Sequence, residues 1–152
     1  MKETKELKVS AIKDGTVIDH IPAKNLFKVV SILGLDMTKE HLTMGTNLES
    51  GKLGQKAIIK LSGTFFKDDE INKIALVAPE AKLNIIKDYK VVEKKLVAVP
   101  DKIYGIAKCV NPKCITNNEI ITTKFTVVSK KDVSLKCEYC EKITDQDNLI
   151  IL

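Results

Sequence analysis

Four cysteines carry the most pointed chemistry in this sequence. Cys109 and Cys114 stand in C-V-N-P-K-C, Cys137 and Cys140 stand in C-E-Y-C, and there is no fifth. Two tight pairs of thiolates, each on its own bend, fit a tetrahedral Zn²⁺ site. Asn111-Pro112 supplies turn chemistry for the first bend, and the two-residue spacing of C-E-Y-C supplies the second. Four sulfurs leave no open coordination position, so such a metal is structural rather than catalytic. A zinc–tetrathiolate centre carries about minus two charges, and Lys108, Lys113, Lys136 and Lys142 flank it. Two disulfides would need an oxidising compartment, and M-K-E-T-K-E at the N-terminus has no apolar signal core. A redox C-x-x-C would leave the other pair unexplained, whereas mononuclear iron accepts the same four thiolates.

The remaining candidates are sparser. G-K-L-G at 51–54 lacks the spacing of a phosphate loop, and no cysteine is spare for nucleophilic work if all four hold metal. The histidines are His20 and His41, too few for a catalytic imidazole centre, and His41 reads as a solvated loop residue. Asp19-His20 is more suggestive, because two adjacent polar groups end a strand just before I-P. Taken alone, it also reads as a helix-entry histidine with a capping aspartate. Lys56 and Lys60 alternate outward on one strand. Together with Lys90, Lys94 and Lys95, they have solvated charge as their plain reading.

These groups must be positioned by regular elements. L-K-V-S-A-I at 7–12 alternates as a strand, Asp14-Gly15 signals a tight turn, and residues 16–20 form a second strand. Pro22 opens a helix carrying Leu26, Val29, Val30 and Leu33, which Gly34 ends. Residues 42–48 and 57–61 form a hairpin turned by Ser50-Gly51. Asp68 or Asp69 caps a second helix carrying Ile71, Ile74, Ala75 and Ala78, stopped by Pro79. Strands at 83–86 and 91–95 join around Asp88-Tyr89. This order predicts an α+β fold with a ferredoxin-like antiparallel sheet and two helices on one face. After a boundary near 101, short strands at 120–128 and 133–136 predict a small all-β zinc domain. The division is thus 1–100 and 101–152, each with its own core. A module of that size is marginal without metal.

With 152 residues, 44% hydrophobic and 30% charged, the chain is long enough for one domain or two small ones. No apolar run approaches a membrane span, and the expected location is the cytoplasm. The formal charge of +5 falls to about +3 once a zinc–thiolate centre is counted. The lysines are spread rather than clustered and tryptophan is absent. A zinc-ribbon nucleic-acid-binding protein is therefore the alternative rather than the leading reading.

Three segments then carry a resemblance: A-I-K-D-G-T-V-I-D-H-I-P-A (11–23), N-L-E-S-G-K-L-G-Q-K-A-I-I-K (47–60) and A-P-E-A-K-L-N-I-I-K-D-Y-K-V-V-E-K (78–94). With C-V-N-P-K-C-I-T and L-K-C-E-Y-C, they resemble the regulatory chain family of aspartate carbamoyltransferase, from about Leu7 to Cys140. The resemblance implies a non-catalytic subunit of pyrimidine biosynthesis. Its N-terminal domain would bind nucleotide effectors and pair with a second regulatory chain, and its zinc domain would dock on catalytic chains. CTP typically inhibits in that family and ATP typically activates.

Carried over by motif, Val9, Ala11, Ile12 and Val17 would line the base and ribose side, with the Ile12 backbone reading the base edge. Asp19 would accept from ribose hydroxyls, His20 and Lys94 would meet the phosphates, and Lys60 would contact base and ribose. Asn84, Ile86, Tyr89 and Val91 would close the pocket, Ile86 and Tyr89 through their main chain. Lys56 would reach a phosphate or a second nucleotide. Many members carry an acidic residue two positions after the pocket lysine, where this chain has Ser62.

Overall fold

The computed structural model describes residues 11–51 and 54–152. The alternating hydrophobic pattern after Gly15 folds as β1 (Gly15–Pro22), followed by a 3₁₀ turn at Ala23–Asn25 and helix α1 (Leu26–Ile32). Gly34 stops this helix in the left-handed region, at φ 65°, as the sequence implied. The hairpin β2 (Leu42–Ser50) and β3 (Gly54–Ser62) precedes α2 (Asp68–Ile74), and β4 (Lys82–Lys87) and β5 (Lys90–Leu96) complete the first sheet. Its order is β2-β3-β1-β4-β5, and every pairing is antiparallel. The first four strands with their two helices make the ferredoxin-like unit, and β5 extends it at one edge.

Alternation along the strands divides the sheet into two faces. Ile18 lies opposite Ile59 and Leu83, and all three bury with Leu26 and Val29 of α1 and Ile71 and Ile74 of α2. The helices therefore cover this face. Val17, paired with Lys60 on one side and Asn84 on the other, belongs to the opposite, helix-free face. The β4–β5 connection is a two-residue turn with Asp88 and Tyr89 both at positive φ, 51° and 64°, the conformation that suits strand twist in a tight hairpin.

The second part consists of β6 (Lys102–Tyr104), β7 (Ala107–Lys108), β8 (Lys124–Ser129), β9 (Ser134–Cys137), β10 (Ile143–Asp145) and β11 (Ile150–Ile151). They form a four-stranded sheet, β10-β9-β8-β6, and a two-stranded one, β11-β7. Fully buried Phe125 and Leu135 anchor the larger sheet.

Several local expectations are corrected. Most of the strand expected over 7–12 lies outside the described residues, and Ala11 and Ile12 have no regular secondary structure. The cap of α2 is Lys67, not Asp68 or Asp69; these two acids with Glu70 occupy the first turn, where they complement the helix dipole. Glu70 accepts from the Lys67 amide at 3.1 Å. The helix ends at Ile74, well before Pro79, and the chain turns through buried Ala75–Ala78 instead. The strand expected from 120 starts at Lys124, with Ile120 fully exposed.

The expectation of two separate cores also fails. Buried side chains from both parts, Leu76 and Val77 as well as Ile103, Phe125 and Leu149, belong to one contiguous cluster. Gln146 Nε2 donates to the Leu76 carbonyl at 3.0 Å, and Lys24 pairs with Asp147 at 2.9 Å. Short elements that cannot bury both of their faces alone bury them against each other.

Gly15 fixes the start of β1. Its φ is +148°, and a Cβ there would stand 2.1 Å from the Leu61 carbonyl oxygen. Gly15→Ala should therefore destabilise the fold by about 1–3 kcal/mol, read as a lower denaturation midpoint; an unchanged midpoint would contradict the packing of β1 on β3.

Candidate functional site

The cysteines converge as their spacing implied. The four Sγ atoms all lie within 4.8 Å of one another, with Cys109–Cys140 at 3.6 Å and Cys114–Cys137 at 3.7 Å. Sulfurs at tetrahedral vertices, 2.3 Å from a zinc ion, would be about 3.8 Å apart, so the cluster has the dimensions of a metal site. The first bend is a turn closed by the Cys114 amide on the Asn111 carbonyl, 3.0 Å. Asn111 Oδ1 accepts from the Lys113 amide within it. Cys137 ends β9, and Glu141, in the left-handed region at φ 65°, completes the second bend.

The surroundings prepare some sulfurs, but not all, for ionisation. Burial pushes the Cys109 thiol up to about 12, and burial also raises Cys137 against the amides of Cys140 and Tyr139. Burial opposes Cys114 and Cys140 too. There the Thr116 hydroxyl and amide prevail and bring Cys114 down. The Lys142 amide, helped by the Asn111 side chain, brings Cys140 down to about 6. Four thiolates packed this closely repel one another; a bound cation is what would let all of them ionise together.

Spacing marks the four cysteines in the sequence but not their supports. Asn117 Nδ2 donates to the carbonyls of Cys109 and Asn111, at 2.9 and 2.8 Å. Asn118 Nδ2 donates to those of Pro112 and Cys114, at 3.1 and 2.9 Å. Two adjacent asparagines directly after a ligand motif were the available signal, since amide side chains readily close turns.

On the helix-free face, Lys60, Val17, Asn84 and Lys94 form one row across four neighbouring strands. Asp19 reaches this face by regular alternation from Val17, opposite Lys82, and His20 joins it through a β-bulge, where the register between β1 and β3 shifts between Ile18 and Ile21. His20 is the left-handed residue of the bulge, at φ 60°. The insertion returns Ile21 to the core, fully buried, while aiming His20 outward beside Asp19. Asp19 does not cap a helix: its carboxylate accepts from the His20 amide at 2.7 Å and pairs with Lys56 at 2.9 Å.

A cleft of about 380 Å³ opens here, lined by Asp19, His20, Asn84 and Lys94 with Lys82, Lys95 and Leu96. Of the last three, Lys82 and Leu96 were missed, and Lys95 was read only as solvated charge. Lys82 stands opposite both Asp19 and Leu96, and it was readable only as the position two before Asn84 on the same strand face. Among the described residues, buried His20 Nδ1 has no hydrogen-bond partner, and it lies 3.6 Å from Asp19 Oδ2.

The other carried-over residues are spread more widely. Ile86 is buried on β4 opposite exposed Val91. Tyr89 is exposed, and its amide is taken by the Lys13 carbonyl at 2.9 Å. Ala11 and Ile12 lie ahead of β1, and Val9 falls outside the described residues. No helix among the described residues is long and apolar enough to cross a membrane.

A ferredoxin-like sheet with a lysine-lined cleft, packed against a small β module closed by four cysteines that could hold a metal ion, defines a two-part α+β protein. The family descriptions "Aspartate carbamoyltransferase regulatory chain, allosteric domain" and "Aspartate carbamoyltransferase regulatory chain, metal binding domain" match residues 7–98 and 101–150. Aspartate carbamoyltransferase regulatory chains of Bacteroides thetaiotaomicron and Pyrococcus horikoshii are 55% and 53% identical to it. The first comparison covers 100% of both chains, the second 95% of this chain and 97% of the relative. The chain belongs to the aspartate carbamoyltransferase regulatory chain family, and it is a non-catalytic subunit.

Proposed function

We propose that this chain senses nucleoside triphosphates, CTP and ATP, in the cleft on its open sheet face and passes their binding to catalytic chains docked on its metal module. The observation that carries this reading is the bulge at His20, which brings an imidazole to the Asp19 carboxylate in a cleft with Lys94 and Lys82. A triphosphate calls for cations, and a ribose diol for a carboxylate. Asp19 already holds Lys56, but an ionised carboxylate has about four acceptor sites and can serve the diol as well. Lys60 and Val17 continue the row where base and ribose would lie, with Ala11 and Ile12 ahead of it and Ile86, Tyr89 and Val91 beyond Asn84. Because the Tyr89 amide is engaged by Lys13, only its carbonyl is available to a base.

In this reading Cys109, Cys114, Cys137 and Cys140 hold one Zn²⁺, which supplies structural cross-linking and no chemistry on substrate. The seam near residue 101 separates nucleotide-binding and docking parts, the chain pairs with a second copy of itself, and the assembly works in the cytoplasm. The test is reconstitution with a separately purified catalytic chain. Co-purification, and a rate that changes with CTP or ATP, is the expected result; failure to associate, or carbamoyltransferase turnover by the rigorously purified chain alone, would sink it.

His20 supplies a finer test. His20→Ala should weaken binding of the triphosphates more than of the nucleosides. Calorimetric titration of nucleoside and triphosphate into wild type and His20→Ala checks this, and an equal loss for both would remove His20 from the phosphates.

A further inference from the structure

At one place on the seam, side-chain amides from each part of the chain donate to consecutive carbonyls of the first part. Asn25, 4% exposed, donates through Nδ2 to the Val77 carbonyl at 2.8 Å. Gln146 of the metal module donates through Nε2 to the Leu76 carbonyl at 3.0 Å. Leu76 and Val77 are themselves fully buried, in the turn that follows α2.

Each amide is tied closely to a functional element. Asn25 ends the 3₁₀ turn that follows β1, a few residues beyond the bulge at His20 and with fully buried Ile21 between them. Gln146 opens the 3₁₀ turn Gln146–Asn148, capped by Asp145, whose carboxylate accepts from the Asn148 amide at 3.0 Å. Asp145 in turn ends β10, which pairs along β9, the strand that delivers Cys137.

We propose that Asn25 and Gln146 are positioning residues that clamp the Leu76–Val77 turn from its two sides, so that a shift of the bulge on nucleotide binding is delivered to the metal module. The proposal rests on the nucleotide reading of the cleft. Neither residue lines the cleft, so neither is needed for binding itself. Removing either amide leaves a buried carbonyl without its donor, loosening the turn locally. The ion pair of Lys24 with Asp147 spans the same seam, but both side chains are more than half exposed, and pairs of that kind couple weakly.

The test uses the full chain reassembled with its catalytic partner. Gln146→Ala, Asn25→Ala, the double variant and Lys24→Ala are compared with wild type. Calorimetry gives CTP and ATP affinity, and the assembly's rate with and without nucleotide gives the response. Gln146→Ala and Asn25→Ala should leave affinity within about twofold and reduce the coupling between sites by about fivefold or more. The double variant should be no worse than the stronger single, since both act on one turn, and Lys24→Ala should respond like wild type.

A full response in Gln146→Ala overturns the proposal, as does a loss of response matched by an equal loss of affinity. If Asn25→Ala does not fold, Gln146→Ala, whose amide sits at the half-buried edge, decides alone. A wild-type chain that neither binds nor responds overturns the nucleotide reading, and this proposal falls with it.

Discussion

Cys114→Ser, or exhaustive chelation of the wild-type chain, should unfold the C-terminal module and abolish its association with catalytic chains. The expected size of the effect follows from comparing two energies. Structural zinc in small thiolate sites contributes about 10–16 kcal/mol, as much as the whole stability of an ordinary domain, about 5–15 kcal/mol. The buried side chains around this cluster are few, chiefly Ile103, Phe125, Val133, Leu135 and Leu149, so the module has little to fall back on. Partial loss is therefore not expected; the module is folded with metal and unfolded without it. The shared core extends the effect. Leu76 and Val77 bury in the same cluster as the metal module, so the N-terminal sheet should stay folded but melt lower, by about 4–8 °C for each kcal/mol lost. Hydrogen exchange with and without chelator separates the two zones. Continued protection of the Phe125 and Leu135 amides in metal-free chain would show that the sulfur cluster is not what holds the module. Undiminished assembly by Cys114→Ser would show that docking lies elsewhere.

The convergence of the four cysteines was legible because spacing alone nearly determines it: bends carrying two sulfurs each have few other uses. Local punctuation was legible for the same reason. Gly34 ends α1 in the left-handed region, and Asp88-Tyr89 make the turn whose geometry lets β4 and β5 pair. The cleft was less legible, because it is assembled by register across strands. Alternation shows that Lys82, Asn84, Lys94 and Leu96 share faces, but not that β4 lies between β1 and β5. The bulge at Asp19-His20 breaks alternation once, with a histidine rather than a glycine in the left-handed position, and nothing in the pattern marks it. Only the family resemblance brought Asp19, His20 and Lys60 together before the fold was known. The joined core was hidden in Ala75–Ala78, whose apolar run reads as the end of a helix when in fact it is a turn buried from both sides.

Lys60→Ala should weaken CTP and ATP alike, by about tenfold to a hundredfold. Lys60 stands directly across from Val17 on the helix-free face, in the row that continues through Asn84 to Lys94. If the phosphates sit at the His20 and Lys94 end, as proposed, the opposite end of that row is left for ribose and base, which would place the Lys60 ammonium among polar ligand atoms. Losing one charge-assisted contact of this kind costs about 1.5–3 kcal/mol, which is the stated range in affinity. The effect should be common to both nucleotides, because ribose and polar base atoms are present in each, whereas losing a phosphate contact at His20 spares the nucleosides. Fold stability should change little: Lys60 is half-buried on the open face, away from the cluster of Ile18, Ile59 and Leu83 that the helices cover. In the assembled enzyme the unregulated rate should persist while both nucleotide responses shrink, since an effector shifts an equilibrium only by its difference in affinity for the two states. Calorimetric titration of each nucleotide into wild type and Lys60→Ala, with the denaturation midpoint of both, is the measurement. An affinity loss confined to one nucleotide would move Lys60 from the ribose to a base-specific contact. Unchanged affinity for both would show that the nucleotide does not lie along this row.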